Sequence, residues 1–232
     1  MNGSRPQRKK MQNTKAIIFD AFATFVEVTN GASVKEIIDN IRTFGVSIDE
    51  AAFRAQWKDF YIQATKIGQP FRCEREIFTE RIRMFYDRYQ IPKSAADDAD
   101  AMLKKAYARK VFPDAKHVFD ALAQRFKVYV ASNTDTDVLE QIMKRNRIFA
   151  HGVFTSEELK CYKPNPEFYA LVLSACGLSP QEVIFIGDSS SDDILGPKEA
   201  GMKTIWVDRN HTGLDHGQDH TVSSLSEIPG II

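Results

Sequence analysis

The stretch KAIIFDAFATFVEV, residues 15–28, runs an apolar segment directly into a carboxylate. Residues 16–19 (AIIF) are short, apolar and without polar alternation, which is typical of a strand buried on both faces of a parallel sheet. Asp20 follows at once, and Phe22 comes two residues later. Because ligands bind at the carboxyl ends of the strands in open parallel sheets, a charge at this point predicts a functional site.

Three further apolar runs have the same character, at residues 127–131 (KVYVA), 183–187 (VIFIG) and 203–207 (KTIWV). Segments with helical periodicity separate or follow them, at residues 114–126, 137–148, 165–177 and 192–201. Strands that alternate with helices predict an α/β fold with a Rossmann-like, doubly wound parallel sheet and helices on both faces. A last, short strand is expected in HTVSSL, residues 220–225.

One long interval has no convincing strand. Between about residues 30 and 110, four amphipathic helices are predicted, in 31–45, 48–68, 73–90 and 95–110. We interpret residues 29–110 as an inserted all-helical cap domain, and residues 15–28 and 111–232 as the core domain. The basic, polar leader 1–14 lacks the apolar segment of a signal peptide and is expected to be disordered.

Composition argues against several classes of partner. Lys and Arg together number 31, as do Asp and Glu, so the formal net charge is zero and no nucleic-acid or membrane footprint is expected. No apolar run approaches the roughly 18 residues of a membrane span. The three cysteines, Cys73, Cys161 and Cys176, form no C-x-x-C pair, which favours a reduced, cytoplasmic protein. A monomer and a homodimer are both compatible with the sequence.

Polar residues follow three of the predicted strands. Asp20 follows the first, Ser132 and Asn133 the second, and Asp188 opens the acidic segment DSSSDD after the third. Any one of these residues is an ordinary helix cap or turn residue. Three together, with Lys163 in CYKPNPEF, predict a site where the strand ends converge.

These segments resemble the four motifs of the haloacid dehalogenase (HAD) superfamily. The motifs are IIFDAFAT, VYVASN, KPNP and IFIGDSSSDD, in the family's order and with the helical insert between the first two, as in the C1 cap type. The resemblance covers nearly everything after residue 14. It implies a hydrolase that acts on a small anionic molecule through a covalent aspartyl intermediate.

The resemblance also implies roles for individual residues. Asp20 is the expected nucleophile, and a nearby Lys163 favours its ionised form. Thr24, Ser132 and the adjacent Asn133 are the other expected catalytic residues. The hydroxyl groups of Thr24 and Ser132 are expected to orient Asp20 and the transferring group.

A magnesium ion is the implied cofactor, since hard carboxylate and carbonyl oxygens suit Mg²⁺. The ligands expected from the resemblance are Asp20, the backbone oxygen of Phe22, Asp188 and Asp193. Asp192, beside them, is expected either to cap the next helix or to assist as a ligand.

Phe22 departs from the phosphatase pattern. Phosphatase members place a second Asp there, which protonates the leaving oxygen, and phenylalanine has no proton to give. Either the leaving group is intrinsically good, or the cap supplies an acid, or activity is low. The 2-haloacid dehalogenases also lack this Asp and carry an aromatic residue there, and DAFAT and YKPNPEFY, including Tyr169, resemble their motifs.

The cap residues and the fourth motif point in different directions. In FRAQWKDFYIQA, Arg54 and Lys58 are the candidates to bind a substrate anion, as an Arg after Trp does in dehalogenases. GDSSSDD instead keeps acids that metal-free dehalogenases lose. A phosphonatase would need a cap lysine, for which Lys58 and Lys66 are candidates without a supporting motif.

Three functions therefore remain open at this point. A Mg²⁺-dependent hydrolase of a small phosphorylated metabolite with a good leaving group is favoured, because of GDSSSDD. A metal-independent 2-haloacid dehalogenase is second, and a non-catalytic binding protein of the same fold is third.

Overall fold

The computed structural model describes residues 13–28 and 32–232. Most of the predicted leader 1–14, and residues 29–31 at the start of the predicted cap, lie outside this part of the chain. A parallel six-stranded sheet with the order β3-β2-β1-β4-β5-β6 forms the centre of the fold. Its strands are β1 Ala16–Phe19, β2 Lys127–Ser132, β3 Gly152–Thr155, β4 Val183–Gly187, β5 Lys203–Val207 and β6 His220–Val222. The predicted α/β class is confirmed.

Strand β1 lies at the point where the strand order reverses. It pairs with β2 on one side and β4 on the other, with Phe19 opposite both Val130 and Ile186. Ile17 and Phe19 pack into one apolar cluster, and Ala16 and Ile18 pack into another on the opposite face. Burial on both faces explains the unbroken apolar run, and ligands bind at such switch points.

The helices outside residues 29–110 flank this sheet. They are α5 Ala115–Ala123, α6 Thr136–Asn146, α7 Ser156–Leu159, α8 Pro166–Cys176 and α9 Gly196–Glu199. A π-helical turn, Ser190–Leu195, precedes α9, and 3₁₀ turns cover Pro180–Glu182 and Leu225–Gly230.

The interval after β1 is helical, as its periodicity predicts. Its helices are α1 Ala32–Arg42, α2 Glu50–Ala64, α3 Glu74–Tyr89 and α4 Ala95–Ala106. They share an apolar cluster of their own, in which the rings of Phe53 and Phe85 stack with centroids 3.9 Å apart. We call α1–α4 the helical layer; that residues 29–110 form a separate domain stays a prediction.

Two parts of the sheet's periphery differ from the sequence predictions. Strand β3 was not predicted, because its four residues, GVFT, form a half-buried edge with neither a long apolar run nor clear alternation. The segment predicted as one helix, 192–201, is instead a π-turn followed by the short α9. Within the described residues, no helix combines the length and the apolarity needed to cross a membrane.

Candidate active site

Asp20 leaves the carboxyl end of β1 and remains in register with the sheet. Its backbone N–H donates to the carbonyl of Ile186 at 2.8 Å, and the residue is only 6% exposed. Its Oδ1 accepts two hydrogen bonds, from Ser132 Oγ at 3.1 Å and from Lys163 Nζ at 2.8 Å. The ends of β1 and β2 and the segment before α8 therefore meet at one carboxylate oxygen.

Lys163 is the buried cation of this site. Its Nζ donates to Asp193 Oδ1 at 2.7 Å as well as to Asp20, and the residue is 4% exposed. Burial opposes the positive charge, but the carboxylates of Asp193 and Asp20 outweigh that effect and raise the pKa of Lys163. The ammonium group therefore stays charged and favours the ionised carboxylates.

Asn133 fixes the backbone that carries Lys163. Its Oδ1 accepts the Lys163 N–H at 2.8 Å, and its Nδ2 donates to the Lys163 carbonyl at 3.0 Å. The same Nδ2 donates to Asp192 Oδ2 at 3.3 Å. The amide of Asn133 thus joins the second, third and fourth sequence motifs, which makes it a positioning residue in this arrangement.

Three carboxylates converge beside Lys163. Asp20, Asp188 and Asp193 each offer an oxygen within 4.8 Å of the others. When all three are ionised, they and the single ammonium of Lys163 carry a formal charge of −2. Burial, followed by repulsion from Asp20, raises the pKa of Asp188 to about 7. A divalent cation fits this set of hard oxygen donors, because it would offset the repulsion.

The turn after β4 is shaped for this cluster. A Cβ atom at Gly187 would collide with the carboxyl group of Asp193, so only glycine fits there. Asp193 Oδ2 accepts the N–H of Ser189 at 2.9 Å, which orients its other oxygen toward Lys163. Asp192 directly precedes Asp193, and its carbonyl accepts a hydrogen bond from the buried Tyr169 hydroxyl at 2.6 Å.

Thr24 lies on the turn that follows β1. Its Oγ1 donates to Asp188 Oδ1 at 3.3 Å. Its carbonyl accepts from Arg209 Nη2 at 2.8 Å and Nε at 3.1 Å, and Arg209 also pairs with Asp114 at 3.1 Å. Ala23, just before it, has a φ of 61°, a left-handed conformation that turns the chain sharply at this point. Arg209, which follows the carboxyl end of β5, therefore holds the backbone of Thr24 in place.

A cavity of about 460 Å³ lies between the helical layer and the core. Phe22 lines it on the core side, and the Arg109 guanidinium lies 5.1 Å from the centre of the Phe22 ring. Its polar lining residues are Glu74, Arg81, Arg109, Asn133 and Thr134. Among the described residues that line the cavity, Arg81 Nε is buried without a hydrogen-bond partner. Such an orphaned donor favours a polar ligand in the cavity.

The two residues that the sequence suggested as binding a substrate anion do not line this cavity. Arg54 pairs with Glu50 along α2 at 2.7 Å, Lys58 is exposed, and neither side chain lines the cavity. The guanidinium groups that do line it, Arg81 and Arg109, were not singled out from the sequence. Nor was Glu74, because an acid that opens a helix is an ordinary partner of the helix dipole. The Phe- and Tyr-rich sequence of α3 is the one sequence feature that is compatible with a helix beside this cavity.

Comparisons with known proteins agree with this geometry. A family model described as haloacid dehalogenase-like hydrolase matches residues 14–201. Glyceraldehyde 3-phosphate phosphatase of Pyrococcus furiosus is 27% identical over 204 residues, covering 84% of this chain and 81% of the relative. (S)-2-haloacid dehalogenase 1 of Pseudomonas sp. is 24% identical over 230 residues, covering 96% and 98%.

Solved structures of other proteins share this fold. The HAD-hydrolase YfnB of Bacillus subtilis, solved bound to magnesium, has a TM-score of 0.72 and 18% identity, over 95% of this chain and 99% of that one. The family match spans most of the chain and includes every residue of the carboxylate cluster. The chain therefore belongs to the haloacid dehalogenase-like hydrolases and is a hydrolase.

Proposed function

We propose that this protein hydrolyses a small phosphorylated metabolite in a Mg²⁺-dependent reaction that passes through a covalent intermediate on Asp20. The observation that carries the proposal is the cluster of Asp20, Asp188 and Asp193 beside the single ammonium of Lys163. A net negative site repels a phosphate dianion unless a divalent cation lies between them.

The site residues fit the steps of such a reaction. Asp20 attacks phosphorus with the oxygen that is free of Lys163 and Ser132, since both of these donate to Oδ1. Their hydrogen bonds hold the carboxylate in a single orientation, which lowers the entropy lost on reaching the transition state. Asn133 keeps Lys163 in place through its two backbone hydrogen bonds.

Asp20, Asp188, Asp193 and the backbone oxygen of Phe22 would hold the metal ion. When bound, Mg²⁺ would neutralise the phosphoryl oxygens against the anionic nucleophile. The substrate would be a small anion, since the adjoining cavity of about 460 Å³ contains two guanidinium groups.

Phosphate release from 4-nitrophenyl phosphate tests the proposal. We expect turnover that requires Mg²⁺, stops in EDTA and is lost in Asp20→Asn, a change that removes the nucleophile and preserves its shape. Asp120→Asn, on an exposed acid of α5 that pairs with Lys116, is the matched control and should retain activity. Turnover that persists in EDTA would contradict the proposal.

One observation favours a second candidate, a 2-haloacid dehalogenase. Phe22 and the apolar cavity wall offer no proton at the position where phosphatase members of the family have an acid. A halide leaves without a proton, and the curated relatives include both a phosphatase and a dehalogenase. This candidate predicts chloride release from 2-chloropropionate that EDTA does not affect; absence of chloride release across several short haloacids would exclude it.

A further inference from the structure

The proposed phosphatase reaction lacks a source for one proton. An alkoxide is a poor leaving group, and general acid catalysis contributes typically ~10²–10⁴ in rate. Phe22 cannot supply the proton. Asp193 is ion-paired with Lys163, and Asp188 accepts a hydrogen bond from Thr24 within the proposed metal cluster. The acid therefore has to come from outside the core motifs.

Glu74 is the residue of the helical layer whose carboxyl group lines the cavity of about 460 Å³ described above. It is the first residue of α3 and lines the cavity together with Phe22 and Asn133. The position of its backbone is fixed, because its N–H donates to Asp135 Oδ1 in the core at 2.6 Å. Its Oε1 accepts a hydrogen bond from the Tyr61 hydroxyl at 2.8 Å, which orients the carboxyl group. Glu74 is half-buried and lines the cavity that a substrate would enter.

The surroundings of Glu74 keep it protonated near neutral pH. Burial raises its pKa to about 7; the hydrogen bond from Tyr61 opposes this shift, and the Asp135 carboxylate adds to it. Arg109, from the segment after α4, lowers the pKa of Glu74. Two further groups face it, namely Arg81 on α3 and Tyr162 before α8. Glu74 is therefore an acid that holds its proton below about pH 7 and loses it above.

We propose that Glu74 is the proton donor to the leaving group and takes the place of the acid absent from position 22. The inference rests on the proposed phosphatase function. Asp20 bonds to phosphorus while the bond from phosphorus to the bridging oxygen breaks, and Glu74 gives its proton to that oxygen, so that a neutral alcohol leaves. Water then attacks the aspartyl phosphate without help from Glu74, and the proton that it releases returns to the Glu74 carboxylate through the solvent. This step releases inorganic phosphate and restores both carboxyl groups to their starting states.

The test compares two substrates of similar size that differ in their leaving groups, 4-nitrophenyl phosphate and benzyl phosphate. In Glu74→Gln, we expect kcat on benzyl phosphate to fall about 10²-fold, because an alkoxide needs the proton, while kcat on 4-nitrophenyl phosphate stays close to that of the unmodified protein. Glu80→Gln, on the outer side of the same helix, is the matched control and should leave both rates unchanged.

The outcomes separate this inference from the proposed function. If the unmodified protein releases phosphate from neither substrate, the proposed function fails and the inference fails with it. If it hydrolyses both and Glu74→Gln slows both equally, or slows neither, only the inference is overturned.

A pH profile of a second variant covers the case in which Glu74→Gln does not fold. With benzyl phosphate, kcat of the unmodified protein should fall as the pH rises through about 7, since Glu74 then loses its proton. Tyr61→Phe removes a hydrogen bond that lowers the pKa of Glu74, so this basic limb should move to higher pH. A limb that does not move would overturn the inference.

Discussion

Phe22 has more than one part in this site. Its side chain has no acidic group at the position, two residues after the nucleophile, where phosphatase members of the family have an Asp. Its backbone oxygen is still a predicted metal ligand. The ring also forms a cation–π contact, because the Arg109 guanidinium lies 5.1 Å from its centre. In the described part of the chain, the Arg109 side chain forms no ion pair or hydrogen bond. A guanidinium group that is held in place but unpaired is suited to bind an anion.

Arg109→Met tests this reading of the cavity. For a phosphate ester that carries a second anionic group, such as 4-carboxyphenyl phosphate, we expect KM to rise about 10- to 100-fold, the effect of losing a hydrogen bond to a charged group. For phenyl phosphate, which lacks that group, KM should change much less. Arg125→Met is the control, because Arg125 also lies over a ring, 5.0 Å from that of Phe126, but on the surface. An equal rise for both substrates would exclude charge recognition by Arg109.

Gly187 imposes a steric limit on the carboxylate cluster. In Gly187→Ala, the new methyl group would displace the Asp193 carboxyl group, so we expect loss of activity and a fall of about 1–3 kcal/mol in the free energy of unfolding. Gly230→Ala, where a Cβ atom meets nothing within 4 Å, should be close to neutral. Denaturant unfolding of both variants measures the difference. Full activity in Gly187→Ala would show that Asp193 can move without consequence.

At the scale of elements, the N-terminus of α3 is where the helical layer meets the core. Asp135, which follows β2 and is 1% exposed, accepts the N–H groups of Glu74 at 2.6 Å and Arg75 at 2.9 Å. Asp137 adds bonds to the Arg75 guanidinium at 3.0 Å and the Tyr107 hydroxyl at 2.5 Å. A residue of the core thus caps a helix of the other layer, although capping residues usually lie directly before the helix that they cap.

Removal of this cap should affect both stability and substrate binding. We expect Asp135→Ala to lower the free energy of unfolding by about 1–2 kcal/mol, the usual effect of losing a helix cap, and to raise KM because α3 loses its anchor on the core. Asp49→Ala, which removes the local cap of α2, should lower stability by a similar amount without changing KM. Unfolding curves and steady-state kinetics of both variants give the comparison. An unchanged KM in Asp135→Ala would contradict an anchoring role.

The elements that could be predicted from the sequence are those whose signal is local. Strands β1, β2, β4 and β5 are buried on both faces, so each is a continuous apolar run, and the residues that follow them could be named. Asp135 could not be recognised as a cap of α3, because the two residues that it binds are 61 and 60 positions away in the sequence. Arg109 and Glu74 were missed for the same reason: only the packing of two layers brings them to one cavity.

At the scale of the whole molecule, metal binding should be visible without any substrate. The clustered carboxylates destabilise the folded chain unless a cation offsets their repulsion. We expect Mg²⁺ to raise the melting temperature, since a ligand at 100 times its Kd stabilises a protein by about 2.7 kcal/mol. Asp188→Asn should abolish most of this shift, whereas Asp120→Asn on the exposed face of α5 should preserve it. An equal shift in both variants would place the ion elsewhere.

The position of the cavity between two layers has a consequence for inhibitors. Asp20 belongs to the sheet, whereas Glu74 belongs to the helical layer, so the nucleophile and the proposed acid are brought together only while the layers are in contact. A bulky phosphate analogue that kept them apart would occupy the carboxylate cluster and still escape hydrolysis. Compounds that bind between Phe22 and Arg109 should therefore inhibit this protein more selectively than mimics of phosphate alone, because their binding also depends on Arg109, which the four shared motifs do not include.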